Sequence, residues 1–333
     1  MLGFRRPWSA LLSAVCALPF GALACSPSSG PRLPEAGAAR EITLFFLGDL
    51  RGSIEPCGCT TDPLGDLART ATVIADARAA GRAVAVLDAG SLLYTSTKVT
   101  PETEAQETLK ADLLIDAYAR HLQVAAIGLG PHDLGRGVAG VRPARQAANV
   151  PAGAGIALEA PRIIDVGGVA VGVFGVVAPA EIAAAGVVAT DPITAATEAT
   201  AGLRARGAQV VVALAGMPTK EAKDLARAIR GIDFVVVGVG LEEPDKVPRG
   251  ADAAGAAWVV GGANRCQVIS RVDLTWRGPG KGEQPAPLID AIGAARATAR
   301  IAAIDVEAPA LEAQLATWSE DATADPAFVA RKR

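Results

Sequence analysis

The sequence predicts a layered α/β fold with a parallel core, antiparallel additions and a short helical extension at the C-terminus. Three observations carry that reading. Short, nearly continuous apolar runs alternate with segments of helical periodicity, the pattern of strands buried on both faces beneath covering helices. Two of the runs end in an acid and a glycine, at Gly48-Asp49 and at Asp88-Ala89-Gly90. After Gly278-Pro279-Gly280 the strand pattern stops and only helical periodicity remains.

The first element is an address. Arg5 and Arg6 precede an apolar stretch over residues 8–20, and Ala22-Leu23-Ala24 leads into Cys25. Residues 1–24 therefore read as a signal peptide, too short to span a bilayer as a helix. An ordinary signal peptidase would accept Ala22-x-Ala24, but the same residues before Cys25 also resemble the lipobox of bacterial lipoproteins. The sequence that follows favours the second reading. Ser26-Pro27-Ser28-Ser29-Gly30-Pro31 opens a flexible linker over residues 25–40, as an acylated terminus needs to hold a folded body off the membrane. The expectation is an envelope protein facing the periplasm, anchored through lipid on Cys25. Ser26 rather than Asp at the next position points to the outer membrane.

The body follows over residues 41–282. Residues 41–47 form a buried strand, so Asp49 stands at its carboxyl end, where α/β sheets collect functional groups. A helix begins after Gly65, with Leu67, Ala71 and Ile74 at core spacing and Gly81 as its stop. Residues 83–87 are a second strand, 106–122 a helix and 124–129 a third strand. Residues 162–177 read as a hairpin turning at Gly167-Gly168. Helices at 194–206 and 220–230 each close on a glycine, Gly207 and Gly231, around a strand at 209–214. Runs at 234–239, 257–260 and 267–276 complete the strands. The last segment, residues 283–333, holds two amphipathic helices at 288–304 and 311–318, the second with Leu311, Leu315 and Trp318 on one face.

Composition narrows the function. Half of the 333 residues are hydrophobic and 20% are charged, enough for a substantial core. The net charge of −3, with no basic run beyond Arg331-Lys332-Arg333, argues against a nucleic-acid partner. The chain has only two histidines, His121 and His132, and five cysteines, of which Cys57, Cys59 and Cys266 belong to the body.

The order of the short motifs resembles that of bacterial periplasmic 5′-nucleotidases, within the calcineurin-like metallophosphoesterases. Ile42-Thr43-Leu44 through Gly48-Asp49-Leu50-Arg51-Gly52 is similar to that family's opening strand with Asp-x-His-Gly. Gly65-Asp66-Leu67-Ala68-Arg69 resembles Gly-Gly-Leu-Ala-Arg, and Leu87-Asp88-Ala89-Gly90-Ser91 resembles Asp-Ala-Gly-Asp. Gly130-Pro131-His132-Asp133 falls where the family has Gly-Asn-His-Glu. The likeness covers residues 41–276, and several motifs in one order are far more specific than any alone. It implies a sandwich of two mixed β-sheets flanked by helices.

It also implies a pair of divalent metals that clamp a phosphoryl oxygen and activate water, and here the sequence departs. Asp49 matches a ligand, but Arg51 stands at the histidine two residues on and cannot ligate. Ser91 replaces the bridging aspartate, and Pro131 the asparagine. His132 matches the histidine that assists catalysis, with Asp133 beside it. The later histidines are replaced around Ala215-Gly216-Met217 and by Gly238-Val239-Gly240-Leu241. His121, within a helix, reads as a surface or partly buried residue. The expectation is a largely lost metal site and no cofactor.

Sulfur offers a replacement. Pro56-Cys57-Gly58-Cys59 follows the first strand and resembles a stretch in a subgroup of nucleotidase-like secreted proteins. A Cys-x-Cys disulfide closes a tight, easily reduced loop, and Arg51 nearby would favour a thiolate. Structural disulfides that include Cys266, a redox pair at Cys57 and Cys59, and a thiolate metal site with His132 all remain open. The functional expectation is a non-hydrolytic lipoprotein that binds a ligand, redox partner or envelope partner, or acts through these thiols with Arg51 and His132. One alternative is a residual Zn- or Mn-dependent phosphohydrolase using Asp49, Asp88, His132 and Asp133. The other is a structural envelope lipoprotein.

Overall fold

The computed structural model describes residues 39–56, 64–242, 250–278 and 288–317. The strands are β1 (Arg40–Leu47), β2 (Ala83–Asp88), β3 (Val124–Ile127), β4 (Arg145–Gln146), β5 (Leu158–Glu159), β6 (Arg162–Val166), β7 (Val169–Val177), β8 (Val210–Gly216), β9 (Phe234–Val237), β10 (Asp252–Ala254), β11 (Ala257–Val260) and β12 (Ser270–Trp276). The helices are α1 (Leu67–Ala79), α2 (Glu104–Ala117), α3 (Pro179–Ile182), α4 (Pro192–Ala205), α5 (Thr219–Ala228) and α6 (Ala291–Thr317). One sheet has the order β12-β1-β2-β3, the other β10-β11-β9-β8-β7-β6, and β4 pairs with β5 apart from both.

Strand period explains the layering. In β1, Ile42, Leu44 and Phe46 face one way and meet Val169, Val171, Val173, Val212 and Phe234 of the second sheet. Phe45 and Leu47 face the other way, where α1 and α2 supply Leu67, Ile74 and Leu114. On the far face of the second sheet, Phe174, Val211 and Val235 pack against Leu203 of α4 and Leu225 of α5. Helix, sheet, sheet and helix stack in that order, so the central strands are buried on both faces and read as unbroken apolar runs. The rings of Phe46 and Phe234 lie 5.6 Å apart across the sandwich.

The sheets are mixed, as expected: β1, β2 and β3 run parallel and β12 antiparallel to β1. The hairpin turns at Gly167 and Gly168, both with positive φ (58° and 81°), as a two-residue turn of type I′ requires. Two expectations need correction. The C-terminal pair of helices is one helix, α6, which passes through Pro309. Its missing N–H leaves a carbonyl one turn back without a partner, a cost that an exposed helix meets with water. The closing strand, expected from residue 267, begins at Ser270, and Cys266 lies in a short 3-10 turn, Asn264–Cys266, before it.

The two sheets converge at the carboxyl ends of β1, β2 and β9. A Cβ on Gly48 would lie 2.9 Å from the Val237 carbonyl oxygen, and one on Gly238 only 2.3 Å from that of Ala89. Side chains there would hold the strand ends apart.

Candidate functional site

Asp49, the residue after Gly48, is fully buried. Its backbone continues the β1–β2 pairing beyond the strands: Asp49 N donates to the Gly90 carbonyl at 2.9 Å, and Arg51 N to that of Ser91 at 2.8 Å. Keeping that register around a bend puts non-glycine residues in the left-handed region, Asp49 at φ 56°, Arg51 at 54° and Ser91 at 60°. Arg265 and Cys266, at 55° and 54°, adjoin them, with Arg265 N donating to the Asp49 carbonyl at 3.0 Å. Strain in non-glycine backbone concentrates at sites where side chains must be aimed.

The side chains aim at one another. Arg51 clasps Asp49 with both arms of its fork, Nε to Oδ1 at 2.8 Å and Nη2 to Oδ2 at 2.6 Å. Leu241 N adds a third donor to Oδ2 at 2.9 Å. The Asp49 bond holds the Arg51 guanidinium above its ordinary range, against the opposing effect of burial. Asp88, at the end of β2, accepts from Gly90 N and from the Tyr118 hydroxyl, each at 2.6 Å. Burial pushes its carboxyl up to about 6, although both bonds favour the charged form.

Asp133 lies in the turn after β3. It accepts from Ser91 N, Gly130 N and Leu92 N, and from Arg145 Nη2, all at 3.0 Å. Both partners of the Asp133–Arg145 pair are fully buried. His132 shows its Nδ1 to the Tyr94 carbonyl at 2.9 Å, so Nδ1 carries the proton and Nε2 the lone pair. Burial lowers its pKa, the Tyr94 bond partly offsets this, and the charge of Arg51 lowers it further, so the ring is neutral at neutral pH. Ser91 is buried, and its Oγ has no hydrogen-bond partner.

Asp49, Arg51, Asp88, His132 and Asp133 are thus brought to one edge of the sandwich, with Ser91 and Pro131 between them. Cys57 and Cys59 lie outside the described residues. Cys266 is set behind the site, packed with Phe45, Leu67 and Ile74 under α1. Burial pushes its thiol far up, and the charge of Asp88 pushes it further. Gly65, just before α1, closes against its backbone: a Cβ there would lie 2.9 Å from the Cys266 carbonyl oxygen. His121 is exposed.

Sequence reasoning missed three residues. Arg145 sits on the two-residue β4, with no periodicity to announce it. Glu181 of α3 lies within electrostatic reach of Glu221 of α5 and of Asp49: burial raises its pKa, and the charges of Glu221 and Asp49 raise it further. No sequence signal links these positions.

The residues present do not fit a pair of divalent cations. Both oxygens of Asp49 serve Arg51, both of Asp88 are bonded, and Asp133 is surrounded by donors. A carboxylate so engaged must give up good hydrogen bonds before it can ligate. Arg51 also fixes a positive charge directly on Asp49, which opposes a second cation there. Among the described residues no group of three or more His, Cys, Asp or Glu is arranged to hold a metal ion.

No protein-family model matches the sequence. No curated protein matches it either. Solved structures do. A 5′-nucleotidase precursor from Thermus thermophilus is 22% identical with a TM-score of 0.58, covering 71% of this chain and 51% of its own. The NAD nucleotidase of Haemophilus influenzae is 15% identical at TM-score 0.58, covering 72% and 53%. A calcineurin-like phosphoesterase from Bacillus subtilis is 20% identical at TM-score 0.56, covering 75% and 89%. The chain spans about half the length of the two nucleotidases. At these identities the likeness speaks for the fold, and the chain carries the metallophosphoesterase fold of the 5′-nucleotidases and calcineurin-like phosphoesterases.

Proposed function

We propose that this is a non-hydrolytic, lipid-anchored envelope protein whose metallophosphoesterase scaffold has been turned from catalysis to binding. One observation carries the reading: the fork of Arg51 on Asp49, at 2.8 and 2.6 Å, satisfies internally the carboxylate that a metal would need. Thiol chemistry gains no support from the described residues. Cys266 is buried as a neutral thiol, and the Arg51 charge that would stabilise a thiolate is already shared with Asp49.

The test is metal content and turnover of the purified protein. Dialysis against Mn²⁺ or Zn²⁺ should leave substoichiometric metal, and aryl phosphates and nucleotides should not turn over. Metal-dependent hydrolysis that disappears in Asp49→Asn would overturn the proposal and restore the phosphohydrolase reading.

A further inference from the structure

Helix α6 runs for 27 residues, and among the described residues it touches the body near its start. There the Trp258 indole N–H donates to the Leu288 carbonyl at 3.0 Å, and Trp258, Leu288, Gly293, Ala294 and Ala297 line a shallow groove. The apolar stripe that faces this groove does not stop with it. Ala294, Ala297, Ile301, Ile304 and Ala308 follow one another at spacings of three and four, the a/d seam of a coiled coil. Ile301 is 60% exposed and Ile304 46%, so no described part of the chain covers the seam where its largest side chains stand.

The flanks of the seam say what fits it. With Ile301 at position a and Ile304 at d, Arg300 and Glu307 both occupy g, and they lie 3.7 Å apart along the same edge. In a parallel pair of such helices g faces e of the partner. Arg300 would meet Asp305, but Glu307 would meet Glu312 in a like-charge contact. In an antiparallel pair g faces g. Arg300 then meets Glu307 of the other copy and Glu307 meets its Arg300, with no like charges opposed. The same register sets Ile301 against Ile304 and Ala297 against Ala308, small residues that let the helices approach closely. A membrane surface fits less well. The helix carries Arg296 and Arg300 against Asp305, Glu307 and Glu312, whereas interfacial helices are rich in cations.

We propose that α6 is a self-association element, closed by α6 of a second copy of this chain lying antiparallel across residues 297–308. The proposal is independent of what the cleft binds.

Sedimentation equilibrium of the full chain in density-matched detergent tests it. The expected result is a dimer with a dissociation constant on the order of 10 µM, as suits a seam of this length. Ile301→Glu with Ile304→Glu should abolish it. Both residues are already exposed, so circular dichroism and thermal midpoint should hold. Glu307→Arg sets two cations against two cations only in the antiparallel pair, and should weaken association about tenfold. In a parallel pair the same change would tighten it. A chain that stays monomeric throughout, a tighter Glu307→Arg dimer, or a monomer whose seam binds phosphatidylglycerol vesicles would each overturn the proposal.

Discussion

At residue scale, Arg51 sets against Asp49 a positive charge that is covalently attached and cannot be exchanged. Removing it leaves a buried carboxylate held by Leu241 N alone, so Arg51→Ala should lower the unfolding free energy by about 2–4 kcal/mol. Arg51→Lys keeps the charge but not the planar fork and should fall between the two. Urea denaturation of the three proteins checks the order; an Arg51→Ala variant as stable as wild type would show that the pair contributes nothing to the fold.

Asp88 and His132 give the site an opposed pH response. The folded pKa of Asp88, about 6, lies above that of an unfolded aspartate, so the native state holds more protons between them. Its stabilising contribution is full below about pH 4 and is lost as pH rises through 6, an effect on the order of 3 kcal/mol. His132 is depressed by burial, so its contribution is present above the unfolded histidine pKa and is lost as pH falls below it. Asp88→Asn should therefore remove the loss of stability on going from pH 4 to pH 6 and leave only the fall on the acid side. Thermal midpoints across this range check it. A wild-type profile unchanged by the substitution would mean that Asp88 titrates normally.

At the scale of elements, legibility followed burial. Strands β1, β2, β7 and β8 were readable because burial on both faces writes continuous apolar runs, and their ends were marked by glycines. The turn at Gly167-Gly168 was readable for a stereochemical reason that can be measured. Gly167 has φ 58°, and a Cβ there would come within 2.6 Å of the Ala83 Cβ. Gly167→Ala should cost about 1–3 kcal/mol, while alanine at the open Gly186, also at positive φ, should cost only the backbone part, about 1 kcal/mol. Equal losses in chemical denaturation would mean that the contact with Ala83 relaxes freely. Elements made by tertiary contact were not readable. Strand β4 is two residues long, and Arg145 within it looks like any loop arginine until the topology sets it beside Asp133. The break expected between residues 304 and 311 errs in the opposite direction, since the structure carries one helix through it and through Pro309.

For the molecule as a whole, the cleft carboxylates find their partners within the fold, while residues 1–38 carry the address that would say where the fold works. This address lies outside the described residues, so it stands as a proposal resting on Ala22-Leu23-Ala24-Cys25 and the Pro- and Ser-rich linker. Among the described residues no helix is long and apolar enough to cross a membrane. Attachment through Cys25 would draw on buried acyl methylenes at about 0.8 kcal/mol each, and needs more than one chain to be stable. That physics makes the consequence of losing Cys25 nearly all-or-none. In a bacterial host the full chain should sediment with membranes, resist high salt and enter the detergent phase on extraction. Cys25→Ser should appear as a soluble periplasmic protein or remain unprocessed. Dimerisation through α6 would double the number of anchors on one particle, so Ile301→Glu with Ile304→Glu should leave the protein on membranes but speed its exchange between vesicles. Equal soluble fractions for wild type and Cys25→Ser would remove the anchor. An exchange rate unaffected by the α6 changes would mean that the copies are held separately.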